Sequence, residues 1–224
     1  MMKTISLVGL LLLVLMLVST QAMAVGIGIY GGLGKASNAR VRNADLKPTA
    51  ATEESHMLAG LGFVLDTAVA KNQLFNYRLN IGFEKWNWGD DTLQNITTAE
   101  PLRFGIYNTF GFGIIRTRLI RFWLGPQLGL TLFTEPATKT GTFLDLFQLT
   151  DNNGAFGSTL GLATGVNINI GEKFTVSIDG GARRWTYRYL NANPTQLGER
   201  RARTHEYYGN VSVMFRINDV YQKK

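Results

Sequence analysis

The sequence contains no cysteine and only two histidines. Beyond its first 24 residues it also lacks any apolar run near the ~18 residues that mark a spanning helix. Each absence excludes something. Without cysteine no disulfide supports the fold, and no lipid-modified cysteine can follow an export cleavage site. Without a long apolar run the rest of the chain forms no transmembrane helix. Clusters with metal-ligand spacing, phosphate loops and nucleotide fingerprints are all missing, so no metal and no other cofactor is expected. Gly26-x-Gly28 and Gly31-Gly32 lie in a strand pattern with no helix after it, and a dinucleotide reading fails on that context.

What is present begins with the N-terminus. Lys3 supplies a positive region, Ile5 to Val18 an apolar core of about fourteen residues, and Ala22-Met23-Ala24 a small-x-small cleavage pattern. The apolar core is short of the ~20 residues that a spanning anchor needs. Residues 1–24 are therefore predicted to be a cleaved signal peptide, and residues 25–224 a single domain. Loss of Lys3 leaves 22 basic residues against 16 acidic, a net charge of +6. In a soluble protein such a balance would suggest nucleic acid. In an exported one, anionic lipid headgroups are the better partner and nucleic acid is not expected.

The stretch Leu102 to Phe133 sets the architecture. Leu102, Phe104, Ile106, Phe110, Phe112 and Ile114 share one parity; Arg103, Gly105, Tyr107, Thr109, Gly111 and Gly113 share the other. After a basic turn at Arg116–Arg121 the pattern repeats, with Phe122, Leu124, Pro126, Leu128, Leu130 and Leu132 opposite Trp123, Gly125, Gln127, Gly129 and Thr131. Successive strand side chains point to opposite faces, so each strand has one apolar and one polar or small face. Each is long enough for a tilted membrane crossing of about 9–11 residues.

The same rhythm recurs along the chain. Further strands are predicted at 25–33, 55–66, about 77–86, 156–170, 174–189 and 204–217. Strand seven carries an ambiguity. Unbroken alternation would turn Arg184 and Arg188 toward lipid, whereas a bulge at Gly180-Gly181 would turn them inward and send Trp185, Tyr187 and Tyr189 outward. Glycine pairs often mark bulges, and the bulge is expected here. The eight strands make an all-β, eight-stranded antiparallel up-and-down transmembrane β-barrel. The segments 34–54, 87–100, 134–154 and 190–203 are long and the intervening turns short. In such barrels the long loops are external, which places both termini in the periplasm. Trp86, Trp88, Trp123, Trp185, Tyr187, Tyr189 and Tyr207 are expected in the interfacial girdles.

VGIGIYGGLG, FWLGPQLGLTL and the closing GNVSVMFRI, behind a signal ending in AMA, resemble small eight-stranded outer-membrane barrels of the OmpX, OmpA-barrel and OmpW type. The resemblance covers the whole chain after residue 24 and is one of architecture. It implies an outer-membrane location and a barrel-insertion machinery as partner. Many such proteins end on an aromatic residue; this chain runs from Phe215 on to Lys224.

The residues expected to carry chemistry face the lumen. They are Arg78, Asn80, Glu84, Arg103, Gln127, Asn167, Asn169, Asp179, Arg183 or Arg184, Glu206 and Arg216. Charges inside a membrane span must pair or be hydrated, and an eight-stranded barrel is just wide enough for side chains to fill. A packed polar plug is the expectation, with a narrow OmpW-like channel for small or hydrophobic solutes as the alternative. His56 and His205 lie at external strand ends, where some small barrels use a rim histidine with a serine to modify lipid A. Neither Ser55 nor Thr204 can meet its adjacent histidine along a strand, so an enzyme is not expected. Arg200, Arg201 and Arg203 are candidates for holding lipopolysaccharide phosphates, which suit arginine's paired donors. The resulting expectation is a non-enzymatic outer-membrane barrel that displays four loops for envelope integrity, adhesion or surface interaction.

Overall fold

The computed structural model describes residues 25–42, 55–69, 73–88, 102–134, 154–189 and 201–217. These form eight strands: β1 (Gly26–Arg42), β2 (Ser55–Asp66), β3 (Phe75–Trp88), β4 (Leu102–Arg116), β5 (Ile120–Thr134), β6 (Gly154–Ile170), β7 (Phe174–Tyr189) and β8 (Arg201–Arg216). Each pairs antiparallel with its neighbours in chain order, and β1 pairs with β8 to close the barrel. Closure leaves no strand with a free edge.

The outer surface is apolar. Leu33, Leu61, Phe63 and Leu160 are each at least 64% exposed, and Ile27, Ile29, Ile178, Val211 and Val213 stand among them on the same wall. A belt of this extent would associate in water and is matched by lipid. Inside, most of the alternate residues are polar, aromatic or glycine, with Leu58, Val64, Ala163 and Met214 among them. At Gly165 an added Cβ would lie 2.5 Å from the Trp123 ring, so glycine there makes room for the indole. Three-residue turns join β4 to β5 and β6 to β7. In the latter, Gly171 has φ +59°, a conformation that favours glycine.

Three expectations are corrected. β1 runs nine residues beyond Leu33, so residues 34–42 belong to a strand and not to the first long loop. β8 begins at Arg201, so Arg201 and Arg203 also lie in a strand. Strand pairing continues beyond the point where the apolar alternation of the sequence stops, because backbone hydrogen bonds do not require it. The third correction is β7. Its register runs without interruption through Gly180 and Gly181 against both neighbours. There is no bulge: Trp185 and Tyr187 point into the lumen, and Arg184 is exposed on the outer wall. Register shifts occur instead at Ala39/Val41 and at Gly113/Ile115. Beside the latter, Ile114 and Ile115 are both exposed. Residues 1–24, the predicted signal peptide, and most of the four predicted long loops lie outside the described residues.

Candidate functional site: the lumen

The predicted lumen residues Arg78, Asn80, Glu84, Arg103, Gln127, Asn167, Asn169, Asp179, Glu206 and Arg216 are all buried inside the barrel, and of Arg183 and Arg184 it is Arg183 that joins them. They fall into two groups along its axis.

The group toward the end that carries the long connections is a square of alternating charge. Glu84 and Arg103 are register partners on β3 and β4, and Arg183 and Glu206 are register partners on β7 and β8. Each pair forms an ion pair across its own strand boundary. Two further ion pairs cross the lumen: Arg103 to Glu206 at 2.8 Å and Arg183 to Glu84 at 3.2 Å. Arg103 grips both oxygens of Glu206, donating from Nη1 at 2.8 Å and from Nη2 at 3.1 Å. Arg183 adds an Nε donation to Glu206 at 2.9 Å.

Aromatic side chains complete the shell. The Trp185 indole donates to Glu206 at 2.7 Å, and the Tyr107 hydroxyl donates to Glu84 at 2.7 Å. Tyr187 accepts from Arg103 at 3.1 Å. The Arg183 guanidinium lies 4.0 Å over the Tyr107 ring and 4.4 Å over Tyr208; Arg103 lies 4.9 Å over Trp185. Buried charge is tolerated when it is both paired and hydrogen-bonded, and this group meets both conditions.

The second group, toward the end of the short turns, centres on Arg78. It donates to Asp179 at 2.6 Å, Ser212 at 2.8 Å, Ser177 at 3.1 Å and Asp66 at 3.5 Å. Asp179 also accepts from Asn210 at 2.9 Å, and Asp66 from Asn167 at 3.3 Å. Arg121 closes the end by donating to the Gln73 carbonyl at 2.6 Å. Arg216 donates to the Gly171 carbonyl. Gln127 and Thr109, joined at 3.0 Å, lie between the groups on β5 and β4. Asn80 is buried among these inward side chains.

Sequence reasoning missed several participants. Asp66 ends the predicted second strand and Arg121 ends the predicted turn 116–121; neither was counted with the lumen, although extending each strand's parity finds both. Trp123 shares the inward parity, yet its aromatic character suggested the girdle; it is fully buried, 5.7 Å from Arg78. Tyr207, at 66% exposure, does lie outside. The side chains of Trp86, Trp88, Tyr189, His56, Arg201 and Arg203, and all of Arg200, lie outside the described residues.

A cavity of about 10 Å³, lined by residues including Tyr30, Gly60, Glu84, Glu206 and Tyr208, has room for about one water. The histidine reading finds a geometric neighbour: Ser37 is the register partner of His205 across β1 and β8. No hydrogen bond joins the two. All four acidic residues of the strands, Asp66, Glu84, Asp179 and Glu206, are inside the barrel. Among the described residues, then, no nucleophile–base–acid set is assembled, and no group of side chains has metal-ligating geometry.

A closed antiparallel barrel with an apolar outer belt and a charged, packed interior has the architecture of a small outer-membrane β-barrel. Solved structures similar to this chain are of that architecture. Neisserial surface protein A (NspA) is 12% identical over 84% of this chain and 96% of that one, with a TM-score of 0.45. The outer membrane protein OprG from Pseudomonas aeruginosa is 11% identical over 88% and 97%, with a TM-score of 0.47. Ail, the attachment invasion locus protein of Yersinia pestis, is 10% identical over 87% and 100%, with a TM-score of 0.37. The likeness is distant, and the class follows from the barrel itself. No family model and no curated protein matches the sequence.

Proposed function

We propose that the chain is exported through a cleaved N-terminal signal and resides in the outer membrane as a non-enzymatic barrel with a plugged lumen. Both termini are then periplasmic. The rigid wall displays four external loops for envelope integrity, adhesion or surface interaction. The observation that supports this reading is the four-residue charge square spanning the lumen, in which Glu84 and Glu206 are each shared by Arg103 and Arg183. An ion passing through would have to break it.

Planar-bilayer recording tests the reading. The reconstituted protein should give no stable conductance. Steady single-channel steps that disappear on substitution of Arg103 or Arg78 would favour the channel alternative instead.

The partners in this reading are the insertion machinery, the surrounding lipids and lipopolysaccharide. Arg200, Arg201 and Arg203 are the proposed phosphate contacts of the fourth loop and the first residues of β8. Each charge near an anionic surface contributes roughly 1 kcal/mol. Replacing all three with serine should weaken co-purification of lipopolysaccharide at low salt while leaving the barrel folded.

A further inference from the structure

Among the described residues the acids of the strands are confined to the lumen, where arginines pair with them, and the outer wall carries basic side chains. Lys35, Lys85, Arg184 and His205 stand exposed on the outside. Three of these four converge. Arg184 on β7 is the register partner of His205 on β8, and His205 is the partner of Ser37 on β1. Tyr207, two residues along β8, is partnered by Lys35 on β1 and Ala182 on β7. Register partners share a face of the sheet, so Arg184, His205, Lys35 and Tyr207 form one outward patch across three adjacent strands. Among the described residues neither Lys35 nor Arg184 has an acidic partner.

The height of the patch is fixed by what lies beneath it. The outward residues of β7 read Phe174, Val176, Ile178, Gly180 and Ala182 before Arg184. Those of β8 read Phe215, Val213, Val211 and Gly209 before Tyr207 and His205. Those of β1 read Ile27, Ile29, Gly31 and Leu33 before Lys35. On all three strands the apolar column stops and cationic or aromatic side chains begin. The wall directly below is shallow. Gly209 and Ala182 flank Tyr207, and a Cβ added at Gly209 or Gly31 would meet nothing nearer than 3.9 Å.

We infer that this patch binds a phosphorylated lipid of the outer leaflet. Arg184, Lys35 and His205 face its phosphate groups, and an acyl chain lies along the small-residue depression below Tyr207. The inference rests on the chain being an outer-membrane barrel. It is separate from the loop arginines, because it uses side chains on the outer wall of the strands. Charge complementarity selects the occupant: a ligand here must carry anionic oxygens at headgroup height and hydrocarbon beneath them.

The test uses the full mature chain in phosphatidylcholine nanodiscs doped either with lipid A or with the same lipid stripped of its phosphates, with retained lipid counted by native mass spectrometry. The wild type should retain the phosphorylated lipid in preference to the stripped one. The variant Lys35→Ser/Arg184→Ser/His205→Asn should lose that preference by roughly ten-fold or more, as should Arg184→Ser alone in part. Arg118→Ser, on the β4–β5 turn, should not. Equal retention of the two lipids by wild type, or undiminished preference in the folded wall variants, would overturn the inference. A chain that fails to enter nanodiscs at all would instead overturn the barrel reading. Loss of lipid A only in the Arg200, Arg201 and Arg203 variant would leave the lipid partnership standing and remove the wall site.

Discussion

Glu206 carries more of the lumen than any other side chain. Its two oxygens receive Arg103, Arg183 and the Trp185 indole, and it is 1% exposed. Glu206→Gln removes the charge and leaves two guanidinium groups to share Glu84. Breaking a buried pair in this way costs about 3–5 kcal/mol. Urea unfolding of the reconstituted barrel, followed by tryptophan emission, should show a loss of that order. The double variant Glu206→Gln/Arg183→Met removes the stranded charge as well, so its loss should be smaller than the sum of the two single losses. Strict additivity would mean that the square is not a coupled unit. At this scale the sequence was informative wherever a charge lay mid-strand, because parity alone put Arg78, Arg103 and Glu84 inside. It was misleading where a residue's type overrode its parity, as with Trp123.

Among the strands, β7 shows how far a local rule can mislead. The expected bulge followed from assuming that an outward arginine must sit in hydrocarbon. Arg184 instead stands where the apolar column ends, so parity is kept and Trp185 fills the lumen. A fluorescence experiment separates the two registers. In a Trp86→Phe/Trp88→Phe variant the remaining emitters are Trp123 and Trp185. Because both are fully buried within the barrel, lipids brominated on their acyl chains should quench the emission only weakly. Strong quenching would restore the bulge. On β3, Ile81 faces outward within the belt, and Ile81→Arg should cost about 2–4 kcal/mol of folding stability in vesicles. The strand ends beside the long connections were the least legible part of the sequence. Ser37 to Arg42 and Arg201 to Arg203 carry no apolar alternation, because hydrogen-bonded pairing does not require it.

For the molecule as a whole, closure determines how stability is distributed. In an open sheet the first and last strands would exchange their amide hydrogens fastest. Here β1 and β8 pair over most of their length, so their mid-strand amides should be protected as well as those of β4 and β5 in hydrogen-exchange measurements. Rapid exchange along β1 would mean that the seam opens. The strand count and their order were legible from alternation and turn spacing. The closing register and the cross-lumen partners were not, since nothing in a linear pattern says that Arg103 will meet Glu206.

That meeting has a consequence for assembly. Before closure, β3–β4 and β7–β8 each hold a self-sufficient arginine–glutamate pair, so either hairpin can wait in a wet, half-built sheet without an orphaned charge. When β1 finds β8, the two pairs are pressed together and each acid acquires a second cation. Contacts separated by about a hundred residues, Arg78 with Asp179 and Arg103 with Glu206, appear in that same event. Closing the β1–β8 seam is therefore expected to form these contacts and expel the lumen's water in one step, so unfolding of the barrel should be a single cooperative transition rather than a gradual unzipping.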